Sequence, residues 1–195
     1  MYPYRPLKIG LFGGSFNPPH EAHRLLAREA IKSLSLDLLI FIPAHKSVEK
    51  QELDYLEGNE RKNMLSLIKP SKSVISSFEL DKREALESIV TVRYFREKFP
   101  DSQLYFLFGE DHVLTLPTWQ DINEIFELAI PVVFKRDRTS TEVYEKLDRS
   151  LVEKLRYLDN KMYNHSSSSF RSSLNYKLLS KSVQRYIRER KLYNS

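Results

Sequence analysis

The residues best suited to chemistry begin with one string, Gly13-Gly14-Ser15-Phe16-Asn17-Pro18-Pro19-His20-Glu21-Ala22-His23. Two glycines after an apolar run allow a tight turn and a close approach of backbone to ligand, and the N–H groups opening a following helix attract phosphate. His20 and His23, three residues apart at that helix start, can point to one side. As N–H donors they suit the oxygens of a phosphoryl group on which charge builds during transfer. Two histidines at this spacing are by themselves more often surface residues, whereas the whole string is hard to read as an ordinary strand-to-helix turn.

A second cluster lies far along the chain, where Ser166, Ser167, Ser168 and Ser169 precede Phe170 and Arg171. Hydroxyls, helix-start N–H groups and a guanidinium fork could meet on one polyphosphate there, although the run alone also reads as a low-complexity loop. Asp111, just after an apolar run ending at Gly109, suits a ribose hydroxyl or a metal-linked role, or simply a helix cap. Trp119, the sole tryptophan, can stack on a flat heteroaromatic ring, though a lone Trp is as readily a core residue. Arg136 stands at a strand end as a ligand or a surface ion-pair partner, and Lys46 and Lys50 lie in a polar loop.

These groups need elements to hold them. Leu7–Phe12, Asp37–Ile42, Gln103–Phe108 and Ile130–Lys135 are short apolar runs that suit buried strands, with a further strand within Ser73–Leu80. Between them, Ala22, Leu26, Ala30 and Leu34 recur every four residues, the pattern of a helix lying on a sheet. Helices are also expected over Asn59–Ile68, Ser88–Phe99 and Trp119–Leu128. Beyond Arg138 come a charged helical stretch over Thr141–Leu158, a strand near Met162 and a final helix from about Ser180. The succession predicts an α/β fold, a Rossmann-like doubly wound parallel sheet with a C-terminal helical segment, whose ligands sit beyond the carboxyl ends of the strands. The expectation is one domain over residues 1–195, with 170–195 its helical part.

Composition narrows the class. The 195 residues carry 31 Lys and Arg against 26 Asp and Glu, a net charge of +5 that favours anionic partners. With no cysteine, disulfides and thiolate chemistry are excluded. No signal-like start and no apolar run of membrane-spanning length occur, so a cytoplasmic protein without membrane partners is expected. The basic tail from Lys181 to Lys191 raises a nucleic-acid-binding module as an alternative, but a solvated amphipathic helix with Val183 and Ile187 on its buried side is preferred, and no nucleic-acid partner is expected.

The opening string resembles the GGTFDPxHxGH signature of the nucleotidylyltransferase superfamily, and within it the bacterial nicotinate-nucleotide adenylyltransferase family. The resemblance extends over nearly the whole chain. Lys50 falls where a loop of that family ends in lysine; Arg61 with Met64-Leu65 matches an Arg-x-x-Met-Leu segment; Gly109-Glu110-Asp111 and Pro117-Thr118-Trp119 resemble Gly-Ala-Asp and the segment after it. Phe134-Lys135-Arg136, the run from Ser166 to Arg171, and the closing Lys191-Leu192-Tyr193 also match. The resemblance implies transfer of AMP from ATP, with Mg2+, to nicotinate mononucleotide; nicotinamide mononucleotide or another phosphorylated acceptor is the alternative. It implies His20, His23, Lys50 and Arg171 as catalytic residues, with Gly13, Gly14, Ser15, Phe16, Asp111, Arg136, Ser167 and Ser168 at ATP. Ser88, Trp119 and Lys50 would meet the pyridine nucleotide, no side-chain metal site is implied, and a homo-oligomer is possible. Departures from the pattern are Ala22 for glycine, Glu110 for alanine, Gln120 after Trp119, and Leu86-Glu87-Ser88 where Ser-Tyr-Thr is common.

Overall fold

Apolar runs without polar alternation can be buried only if both faces of their sheet are covered. The computed structural model, which describes residues 5–46, 56–136, 148–163 and 166–194, has that arrangement. Strands β1 (Lys8–Gly14), β2 (Leu38–Pro43), β3 (Ser73–Ile75), β4 (Gln103–Gly109), β5 (Ile130–Phe134) and β6 (Arg156–Leu158) form one six-stranded sheet in the order β3-β2-β1-β4-β5-β6. Every pairing is parallel. The chain reverses its direction of sheet growth between β1 and β4, and at such a switch point the strand ends part to leave a crevice.

Alternate strand residues feed two cores. Phe12, Leu39, Phe41, Tyr105 and Leu107 pack on one face. There they meet Leu26, Ala27 and Ala30 of α1 (Glu21–Ser33), Met64 and Leu65 of α2 (Gly58–Ser66), and residues from the chain's end. Ile9, Leu11, Ile40, Ile42, Phe106 and Phe108 point the other way. Opposite them lie Ile89, Val92 and Phe95 of α4 (Ser88–Lys98) and Ile125 of α5 (Ile122–Leu128).

The strand expected within Ser73–Leu80 occupies its first three residues: after Ile75, Ser76 Oγ accepts the Phe78 N–H at 3.1 Å, and the chain turns into the short helix α3 (Phe78–Lys82). Two expectations need correction. The helix expected from Trp119 starts at Ile122, because a 3-10 helix (Glu110–Thr118) follows β4 and Asp121 adopts a left-handed conformation before α5. The late strand forms at Arg156–Leu158, preceded by α6 (Arg149–Val152), and not near Met162. Past Leu158 the Asn160 side chain takes over the pairing, bonding both the N–H and the carbonyl of Lys135 at 2.8 and 3.1 Å. Residues 141–147 of the expected charged helix lie outside the described residues. The chain closes with α7 (Ser167–Ser173), a 3-10 turn (Tyr176–Leu178), α8 (Lys181–Arg190) with Val183 and Ile187 buried, and a last 3-10 turn (Leu192–Asn194). Among the described residues no helix is long and apolar enough to cross a membrane.

One buried cation ties the strand-end loops together. Arg61 of α2 is 1% exposed and donates to four carbonyls: Leu56 at 2.8 Å, Ser15 at 2.7 Å, Ala44 at 2.6 Å and His45 at 3.1 Å. These belong to the loops leaving β1 and β2 and to the approach to α2. Losing the guanidinium would strand several buried acceptors at once, so Arg61→Ala should lower the unfolding free energy by about 3 kcal/mol or more in urea titration. Arg61→Lys should recover only part of that, because a single ammonium cannot span the fork.

Candidate active site

The crevice at the ends of β1 and β4 is a cleft of about 150 Å³. Its walls include Gly13, Gly14 and Ser15 after β1, His20 and His23 of α1, Asp111 and His112 after β4, and Lys135 and Arg136 after β5. Ser166, Ser167, Ser168 and Arg171 close it from the C-terminal side. The structure therefore brings together the opening string, the post-β4 aspartate, the post-β5 arginine and the serine run, which are scattered over 160 residues of sequence. A larger groove of about 1260 Å³ runs along the outer side of α1 and contains neither histidine of the opening string.

The glycines act differently from expectation. Both Gly13 and Gly14 are still in β1, and no described glycine has a positive φ; the left-handed residue of the turn is Phe16, at φ 46°. Gly14 makes room for the Phe16 ring, which would lie 3.2 Å from an added Cβ, and that ring, 1% exposed, then packs edge-on against His23. At Gly13 an added Cβ would meet nothing within 4 Å, so the space belongs to the cleft. Gly109 is constrained by its neighbour, since a Cβ there would come within 2.3 Å of Asp111 Oδ1.

His20 and His23 lock each other at the start of α1. The His20 N–H donates to His23 Nδ1 at 3.1 Å, the His23 N–H donates back to the His20 carbonyl at 3.0 Å, and the rings stack with centroids 3.7 Å apart. Enclosure of its ring in the cleft wall, together with the positive charge of Arg136, pushes the His23 pKa down to about 3. His23 is thus neutral at physiological pH. With Nδ1 occupied as an acceptor, its proton sits on Nε2, which makes that atom a fixed donor.

Across the cleft, Ser166 caps α7 by accepting the Ser169 N–H at 3.0 Å. Two residues of α7 grip the β1 loop: Ser167 Oγ donates to the Pro18 carbonyl at 2.8 Å and Arg171 to the Asn17 carbonyl at 2.6 Å, while Arg171 also reaches Ser168 Oγ at 3.3 Å. The two acidic residues after β4 separate in role. Glu110 is buried and accepts the Arg136 N–H at 2.6 Å, so its charge caps the end of β5, while Asp111 faces the cleft with its Oδ1 3.4 Å from Arg136 Nε.

Ser88 and Trp119 stand outside the cleft walls. Ser88 is the first residue of α4. Trp119 packs against Phe106 and Phe108, bonds Thr115 Oγ1 at 3.1 Å, and lies behind His112, with ring centroids 5.9 Å apart. Lys50 and His165 lie outside the described residues. Sequence reading gave no role to Lys135 or Tyr163, both of which line the cleft, nor to the clamp made by Arg61. Lys135 could have been flagged by its place beside Arg136 at a strand end. Tyr163, whose hydroxyl donates to Glu29 at 2.6 Å, carried no local signal.

A parallel sheet in this strand order, with N–H donors and cations gathered at its switch point, is the architecture of a nucleotide-handling α/β enzyme. The model of the cytidylyltransferase-like family matches residues 11–173. A protein of Methylacidiphilum infernorum named probable nicotinate-nucleotide adenylyltransferase is 32% identical over 95% of this chain and 92% of its own length. One of Clostridium perfringens with the same name is 37% identical over 78% of each. Among solved structures, the nicotinic acid mononucleotide adenylyltransferase of Plasmodium falciparum complexed with APC superposes with a TM-score of 0.76 at 20% identity, covering 96% of this chain and 98% of that one. The chain belongs to the nicotinate-nucleotide adenylyltransferase family, within the cytidylyltransferase-like nucleotidyltransferases.

Two measurements follow from this geometry. A His23 pKa depressed from 6.5 to about 3 contributes stability that is complete above pH 6.5 and is lost as pH falls toward 3. The thermal midpoint should fall between pH 6.5 and pH 4, as followed by circular dichroism, and fall less in His23→Asn, which keeps an acceptor for the His20 N–H but has no proton to gain. Gly13→Ala should leave that midpoint unchanged while weakening nucleotide binding by calorimetry, whereas Gly109→Ala should turn the Asp111 carboxylate away from Arg136 at little cost to the midpoint.

Proposed function

We propose that the protein transfers AMP from ATP to nicotinate mononucleotide, giving nicotinate adenine dinucleotide and pyrophosphate. The observation that carries this is the mutually capped His20–His23 pair, with His23 held neutral, facing Arg136, Ser168 and Arg171 across one cleft. A 5′-phosphate oxygen of the mononucleotide attacks the α-phosphorus of ATP, and the bond from that phosphorus to the oxygen bridging to the β-phosphate breaks. The nucleophile is already ionised at neutral pH, so no general base is needed, and positioning with charge stabilisation supplies the catalysis. In this reading the histidines donate to the α-phosphate and the departing pyrophosphate, Arg171 and Ser168 bind the same charge, and Gly13 and Gly14 let the chain pass close to the phosphates. Lys50 is proposed to reach them from the loop after β2.

Mg2+ is proposed to enter with ATP. Among the described residues no group of three or more His, Asp or Glu could hold a metal ion, and Asp111 is the one carboxylate lining the cleft. That donor set fits an ion carried mainly by the phosphates and oriented by Asp111. When bound, the metal supplies neutralising charge to the β- and γ-phosphates.

Acceptor choice rests on the α4 side, where Ser88 opens the helix and its hydroxyl and N–H can meet a carboxylate. The nucleic-acid alternative draws little from α8, whose arginines are engaged within the chain: Arg185 with Glu189, Arg190 with Glu60, and Arg188 over the Tyr176 ring.

Steady-state pyrophosphate release should show a higher kcat/KM for nicotinate than for nicotinamide mononucleotide; a preference for the amide would reassign the acceptor. His23→Ala should lower kcat by roughly 100-fold or more with the far-UV spectrum preserved, as for loss of one transition-state donor. Near wild-type turnover in that variant would remove His23 from the mechanism.

A further inference from the structure

The 3-10 turn Leu192–Asn194 reaches the active-site loop. Tyr193 donates its hydroxyl to Asn17 Oδ1 at 2.6 Å, and Asn17, 1% exposed, lies between the left-handed Phe16 and Pro18 in the loop that leads to His20. The same Asn17 accepts the Arg171 guanidinium through its carbonyl. The Tyr193 ring packs edge-on against Phe170, the one buried residue of α7, with centroids 5.4 Å apart. One side chain from the C-terminus therefore touches both halves of the cleft: its hydroxyl holds the histidine loop and its ring supports the helix that carries Arg171.

Two further features mark this placement as specific. Lys191 ends α8 at φ 52° and Tyr193 itself sits at φ 59°. Two non-glycine residues in the left-handed region within three positions are disfavoured by the chain's local preferences, so packing elsewhere must hold them there. Burial also pushes the Tyr193 hydroxyl pKa well above its usual value, against the charges of Arg171 and Arg61, so the group stays a proton donor throughout the working pH range.

We infer that Tyr193 is a positioning residue for adenylyl transfer: through Asn17 it fixes the loop that presents His20 and His23, so that the C-terminal turn completes the active site. The inference rests on the proposed reaction and deepens it. Asn17 holds its neighbours by hydrogen bonds on two sides, and removal of the Tyr193 bond would take one anchor from a loop otherwise held by Arg61 at Ser15 and by α7 at Asn17 and Pro18, letting its middle shift relative to the histidines.

Tyr193→Phe isolates the hydroxyl, since the ring against Phe170 remains. It should lower kcat by about tenfold, the scale of one hydrogen bond used in positioning, with KM for the mononucleotide changed less than about twofold. Its thermal midpoint should fall by no more than a few degrees, the scale of one buried acceptor losing its donor, and Tyr193→Ala should lose turnover and far more of the midpoint. A readout independent of turnover is amide hydrogen exchange, which should quicken over Ser15–His23 in Tyr193→Phe and not in the distant β2 and β4. A Tyr193→Phe protein with wild-type kcat and unchanged exchange in that loop overturns the inference. If the wild type fails to release pyrophosphate with either mononucleotide, the proposed reaction fails instead, and the exchange result alone then decides whether Tyr193 orders the loop.

Discussion

The loops that leave β1 and β2 depend on the buried Arg61 guanidinium. Loops at the carboxyl edge of a parallel sheet expose carbonyls that have no strand partner, and water cannot reach those turned inward. Arg61 supplies donors to four of them at once, from segments as far apart in sequence as Ser15 and Leu56. A guanidinium suits this place because its donors are planar and fixed and its charge is retained when buried. With the β1 loop anchored through the Ser15 carbonyl, Phe16 can occupy its left-handed conformation, and α1 begins with its histidines facing the cleft.

From that anchor the site is assembled by mutual constraint more than by any one motif. The two histidines cap each other, α7 grips the loop before them, and the C-terminal turn holds the same loop from below. Such a site needs little reorganisation when charge develops, which is the condition under which fixed donors stabilise a transition state most. The sorting of acids follows the same logic. Burying Glu110 against the Arg136 N–H keeps one negative charge out of the region where polyphosphate would lie, and Asp111 is left facing it beside a cation.

Much of this was legible in the sequence, for identifiable reasons. Runs such as Leu104 to Phe108 are apolar at every position, and only a strand covered on both faces accommodates that pattern, so the parallel sheet and its binding edge followed. The glycine, histidine and serine positions likewise pointed to the cleft that contains them. What stayed hidden depends on contacts distant in sequence or on single dihedral angles. The Ser76 hydroxyl diverts the chain into α3, Asn160 substitutes for a strand residue, and Phe16 rather than a glycine makes the turn. Arg61 was visible as part of a pattern, but residue type alone cannot say which carbonyls a guanidinium will face. The neighbours of the half-buried Trp119 ring, Phe106, Phe108 and His112, were likewise not legible from residue type.

The proposed reaction cleaves ATP between its α- and β-phosphates and joins the AMP to a mononucleotide phosphate. The most direct test follows the fate of a labelled α-phosphate when purified protein, Mg2+, ATP and nicotinate mononucleotide are combined. The α label should appear in the dinucleotide and a γ label in pyrophosphate, and neither should move without the acceptor. Release of the γ label as inorganic phosphate, or an α label that stays in ATP or AMP with the acceptor present, would contradict it.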